Sequence, residues 1–216
     1  MITAFLLTIN IGLIGIILSY FFQFKMMLEQ RLAAAFLLGI IAFVYVFFAI
    51  GFFWGMSGGT LALTLIVLNS SALITWRRSF VNLILEDWYS LQHRYSQRSW
   101  QLFGIGLVLF VGLFSYLVAG MLSFKNETYY VQPVHAYGDI SLHLGIISSF
   151  VFGNNFPPQN PNFSGSPISY PFMVDFLTAI FIQPVGLTYT QSMAFTGGFL
   201  FSLLIVLMAF FIIDLT

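Results

Sequence analysis

Cysteine is absent from the 216 residues. That excludes disulfides, thiolate metal centres and a cysteine nucleophile. Charge is nearly as scarce. Asp, Glu, Lys and Arg make up 6% of the chain, against about 25% in soluble domains, too few to cover a water-facing surface. Seven basic residues balance seven acidic ones, for a net charge of zero. Nucleic-acid binding, which needs a basic footprint, is thereby disfavoured. Internal repeats of useful length and low-complexity tracts are missing too.

What is abundant is apolar. Hydrophobic residues make up 59% of the chain and aromatics 19%, and the mean hydropathy is +0.95. These values predict an all-α, polytopic membrane protein. A span needs about 20 mostly apolar residues. Runs of that kind lie at about Ile2 to Phe24, Leu32 to Trp54, Thr60 to Trp76, Leu102 to Phe124 and Met193 to Ile213. The first lacks the basic leader and small-residue cleavage site of a signal peptide. A shorter apolar piece, Pro171 to Ile182, carries Asp175 and is closed by Pro184. It reads as a tilted span in preference to a re-entrant or half-helix, which makes about six spans.

Basic residues set the orientation. Lys25, Arg31, Arg77, Arg78, Arg94 and Arg98 fall on one set of connections, and Lys125 alone on the other. The connection 77–101 is therefore expected in the cytoplasm and the loop 125–170 outside. Within 77–101, Phe80, Leu83, Ile84, Trp88 and Leu91 recur at helical spacing, with Arg77, Glu86, Asp87 and Arg94 on other faces. This predicts an amphipathic helix at the interface, either a basic-anchored connector or a binder of anionic headgroups. The chain divides into a three-span region, 1–101, and a second region, 102–216.

The outer loop holds the polar chemistry. Gly138-Asp139 marks a helix start, with Asp139 as cap. The helix predicted over 140–152 puts Ile140, Leu144, Ile147 and Val151 on one stripe, with Ile146 and Phe150 beside it. Such a helix would lie flat on the outer leaflet. Asp139 and His143 are spaced i, i+4 and share a face. Either the carboxylate orients the imidazole or both reach one substrate or metal, or Asp139 only caps and His143 only faces water. The run from Asn154 to Gly165 is rich in Pro, Asn and Gly and predicts turns. Phe156 and Phe163 within it are expected to fold back onto the helix. Asn126-Glu127-Thr128 and Asn162-Phe163-Ser164 match the glycosylation pattern. Asp175 sits one turn inside an apolar helix, where an ionisable group faces a cavity or a partner or reaches water at the outer end. His135 has no evident partner.

Three of these segments, taken together, carry a resemblance. They are Tyr137-Gly138-Asp139…His143-Leu144-Gly145, Asn155-Phe156-Pro157-Pro158-Gln159-Asn160-Pro161 and Gly165-Ser166-Pro167-Ile168-Ser169-Tyr170-Pro171. The combination resembles the first outer loop of bacterial membrane glycosyltransferases of the GT-C type, over about residues 103 to 216. The resemblance implies an enzyme of a bacterial plasma membrane that uses a polyprenyl-phosphate-linked sugar donor. It implies that Asp139 is the catalytic acid/base residue. His143, Asn154, Asn155, Tyr170 and Asp175 are then candidates for phosphate or sugar contacts. The chain departs from the pattern where many members carry a second acid. Ile140 and Ser141 follow Asp139, so no paired-acid motif supports a divalent cation. Membrane lipid and the lipid-linked donor are the expected partners. The apolar run ending at Thr216 gives the chain the look of a fragment, inactive alone. Two rivals remain: a non-enzymatic binding or assembly subunit, and a transporter piece with Asp175 lining its pathway.

Overall fold

The computed structural model describes residues 1–22, 26–131, 137–163 and 165–214. Lys25, His135 and Ser164, named above, lie outside the described residues. The elements in chain order are α1 (Ile2–Phe21), α2 (Leu28–Trp54), α3 (Gly58–Thr75), α4 (Ser79–Tyr95), α5 (Arg98–Ala119), β1 (Leu122–Lys125), β2 (Thr128–Val131), α6 (Tyr137–Gly153), α7 (Met173–Ile182) and α8 (Tyr189–Asp214). Among them α1, α2, α3, α5 and α8 are long and apolar enough to cross a bilayer, and the protein is an integral membrane protein of mainly helical fold.

The expected span over 171–182 is instead the ten-residue helix α7. At 1.5 Å per residue it is about 15 Å long, half of a hydrocarbon core. Gly186, at φ +84°, turns the chain after it. The Gly186 and Leu187 N–H groups donate back to the carbonyls of Ile182 and Phe181.

The α1–α2 pair sits at the closest helix contact. A Cβ on Gly15 would overlap the Ala35 carbonyl, and one on Gly39 the Ile11 carbonyl. Small residues permit this approach where no hydrophobic effect drives helices together. Elsewhere α5 packs on α8 through Phe103–Phe210 and Phe114–Phe201 ring contacts and a Ser115–Ser202 hydroxyl pair at 3.1 Å.

Helix α4 forms where expected, but its inward face differs. Phe80 is buried, whereas Leu83 and Trp88 are exposed. Asp87 and Arg94, expected on other faces, turn inward and pair with Arg31 at 2.9 Å and Glu29 at 2.7 Å. The bundle supplies charges of opposite sign at the depth α4 reaches, and these outrank the apolar stripe.

The segment after α5 also differs from expectation. The fourth span ends at Ala119 and the chain becomes an antiparallel hairpin, Leu122 opposite Val131 and Lys125 opposite Thr128. Asn126 and Glu127 both take positive φ, 50° and 60°, as a two-residue turn matched to strand twist requires.

The apolar side of helix α6, expected to face a leaflet, is buried within the protein. Ile140, Ile146, Ile147 and Phe150 are buried, and α6 packs on α7. Phe150 and Phe176 stand 4.9 Å apart at the centre of a cluster of rings. Phe47 and Phe48 join it from α2, and Phe156 and Phe172 from the loop. Phe156 folds back as expected; Phe163 stays exposed.

Replacing Gly39 by Val should force α1 and α2 apart and destabilise the protein by ~1–3 kcal/mol, the usual cost of overpacking. A Cβ at Gly106 meets open space, so Gly106→Ala is the control. Melting of the two variants in detergent checks this. Equal melting temperatures would mean that the α1–α2 contact is dispensable.

Candidate functional site

The apolar rings fix where the polar groups meet. Phe176 anchors α7 in the aromatic cluster, and Asp175 precedes it by one residue. Asp175 is 4% exposed, deep for a carboxylate, and requires a partner. That partner is His143 on α6, whose Nδ1 lies 2.8 Å from Oδ1 and 3.0 Å from Oδ2. Burial pushes the Asp175 carboxyl above the usual range, and the hydrogen bond and charge of His143 pull it back down. In the arrangement that pairs an ionised Asp175 with a neutral imidazole, Nδ1–H donates to the carboxylate and Nε2 carries the basic lone pair. Tyr170 stands edge-on to the imidazole, ring centroids 5.6 Å apart.

The pair opens into a cavity of about 190 Å³. Val118 and Ala119 of α5, Leu122 of β1 and Met193 of α8 form apolar walls, while Thr178 and Thr196 add hydroxyls. Those two threonines bond each other at 2.9 Å, so α7 and α8 are tied across the cavity floor. The lining comes from α5, β1 and α8 together with α6 and α7, which carry the titratable pair.

The candidates named from sequence separate into two groups. His143, Asp175 and Tyr170 come together. Asp139 does not join them. It is exposed in the first turn of α6, and no partner holds it among the described residues. The i, i+4 spacing correctly puts Asp139 and His143 on one face, but the buried Asp175 takes the imidazole because its need for a partner is greater. Asn154 and Asn155 serve the fold. Asn154 Oδ1 accepts from Met56 N–H at 3.0 Å, tying the end of α6 to the α2–α3 turn. Asn155 Nδ2 donates to Ser149 Oγ at 3.0 Å and to the Gln159 carbonyl at 2.7 Å, and its Oδ1 accepts from Gln159 N–H at 2.9 Å. Among the described residues no group of three or more His, Asp or Glu could hold a metal ion.

Thr178, Thr196 and Leu122 escaped the sequence reading. The strand could have been found, since Ser-Phe-Lys and Thr-Tyr-Tyr-Val flank a two-residue polar turn. The threonine contact has no local signal. Comparison of the chain with family models, curated proteins and solved structures gives no match.

A double-mutant cycle tests the pairing. His143→Ala and Asp175→Asn should be non-additive by ~1–3 kcal/mol, as residues in contact are. Asp139→Asn and His143→Ala should add to within ~0.5 kcal/mol. Denaturant titration in mixed micelles measures both. Coupling of His143 to Asp139 instead would restore the sequence-based pair.

Proposed function

We propose that the chain is part of a membrane glycosyltransferase that moves a sugar from a polyprenyl-phosphate donor to an acceptor hydroxyl. The observation that supports it is the pairing of buried Asp175 with half-buried His143, opening into an apolar-walled cavity beside the loop that carries the resemblance. His143 Nε2 takes the proton of the acceptor hydroxyl as its oxygen bonds to the anomeric carbon. The bond from that carbon to the phosphate oxygen breaks, and polyprenyl phosphate leaves with the electron pair. Asp175 orients the ring and stabilises the imidazolium that forms. The apolar walls suit the first isoprene units of the donor. Asp139, assigned the proton transfer by the resemblance, keeps a smaller part. One helical turn from His143 and exposed, it is placed to hold the acceptor.

The same proposal sets the topology. Five spans put the two termini on opposite sides, with α7 returning to the side it came from. Among the described residues Arg31, Arg77, Arg78, Arg94 and Arg98 gather at the α4 end and Lys125 stands at the hairpin end, so α4 is cytoplasmic and α6 lies outside.

Transfer should be assayed with the complete protein in proteoliposomes, using labelled sugars on polyprenyl phosphate. His143→Ala should lose ~10²–10⁴-fold in rate, the range of general-base catalysis, and Asp175→Asn should follow it. Asp139→Asn should mainly raise the acceptor KM. Full activity of His143→Ala would remove His143 from the chemistry, and loss confined to Asp139→Asn would return the role to that acid. With no native cysteine, topology is read by single cysteines. One at Glu127 should react with an impermeant maleimide on intact cells, and one at Gln92 only after permeabilisation.

A further inference from the structure

The opposite end of the bundle holds a second polar cluster. Asp87 of α4 is its hub. Tyr20 Oη donates to Asp87 Oδ2 at 2.7 Å, and Arg31 Nε donates to the same oxygen at 2.9 Å. The Arg31 guanidinium lies 4.2 Å over the Tyr20 ring and donates to the Ser19 carbonyl at 3.3 Å. One turn or two along α4, Arg94 bonds Glu29 at 2.7 Å and Ser90 at 2.6 Å.

This cluster stands between two cavities of opposite character. On one side is a space of about 420 Å³, walled by side chains such as Leu13, Ile17, Leu73 and Ile84 from α1, α3 and α4, and reaching Arg31. On the other is a space of about 300 Å³ lined by Gln30, Asp87, Ser90 and Arg94. Leu28 borders both. An amphiphile satisfies both chambers, because the first suits a hydrocarbon chain and the second a polar head.

The charges select the head. Each cation of the cluster faces a carboxylate, Arg31 with Asp87 and Arg94 with Glu29, so the cluster is neutral as a whole. The lining of the polar chamber itself carries one acid, Asp87, and one base, Arg94, so a net anionic head would meet Asp87 there without an excess of positive charge. A head that brings both signs matches it: phosphate toward Arg94 and Ser90, ammonium toward Asp87. The cluster also leaves one acceptor, Glu29 Oε1, and one donor, Arg94 Nε, buried and unpaired among the described residues. An N–H donor and a phosphate oxygen are the complementary pair.

We propose that this end of the protein binds one aminophospholipid of the phosphatidylethanolamine class, its acyl chain between α1, α3 and α4 and its head under α4. The site is separate from the His143–Asp175 cavity and does not depend on the glycosyltransferase proposal. The bound lipid fastens α4 to α1 and α2.

The test uses the full chain in detergent, delipidated and then titrated with dioleoyl lipids under native mass spectrometry. Phosphatidylethanolamine should bind with a stoichiometry of one and at least about tenfold more tightly, about 1.4 kcal/mol, than phosphatidylglycerol or phosphatidylcholine, whose head has no N–H to donate. Ser90→Trp should fill the polar chamber and Leu73→Trp the apolar one. Each should weaken binding at least about tenfold. Both positions are exposed, so folding should survive, and circular dichroism checks this. Equal affinity for the three lipids, or unaltered binding in both folded variants, would overturn the site.

Discussion

The site depends on one apolar contact, the packing of Phe176 among Phe47, Phe48, Phe150 and Phe156. Edge-on rings at these separations attract one another beyond their buried area, and they fix direction as well as distance. Three separate elements and a loop meet at that point. Once Phe176 is seated, α7 has one rotation about its axis, and Asp175 faces α6. The pairing with His143 is then a consequence of the aromatic packing and does not create it.

The scarcity of charge gives the other organising rule. Lipid-embedded helices cannot leave an ionised group alone, because burial without a partner is costly. Among the described residues the charges that turn inward are held in pairs at the two ends of the bundle: Asp175 with His143 at one, Arg31 with Asp87 and Glu29 with Arg94 at the other. Between them, among the described residues, lie neutral polar contacts such as the reciprocal amide bonds of Asn10 and Asn69 at 3.1 and 3.2 Å.

Much of this is legible in the sequence where the signal is long and periodic. The five long spans and the existence of α4 follow from runs of 17 to 27 residues. Short elements are harder. The hairpin at 122–131 hides behind the apolar end of α5, since Leu122 and Phe124 extend the hydrophobic run. Helix α7 is mostly apolar because seven of its ten residues, Asp175 to Phe181, are buried in the protein, and composition alone reads that as lipid exposure. For the site, spacing finds the neighbours within one helix but not between helices. Asp139 and His143 are four residues apart and visible together. His143 and Asp175 are 32 apart, and only the folded packing brings them into contact.

The enclosure of α7 bears on how the protein is made. A ten-residue segment with a carboxylate is too short to be stable alone in a bilayer. The long helices can enter the membrane one by one, each satisfying its own backbone hydrogen bonds. Helix α7 is too short for such an independent state, and its neighbours α2, α6 and α8 pack against it where it is buried. It settles only after those neighbours have gathered. The His143–Asp175 pair therefore depends on the packing of several separate elements around α7, and the spans by themselves do not make the site.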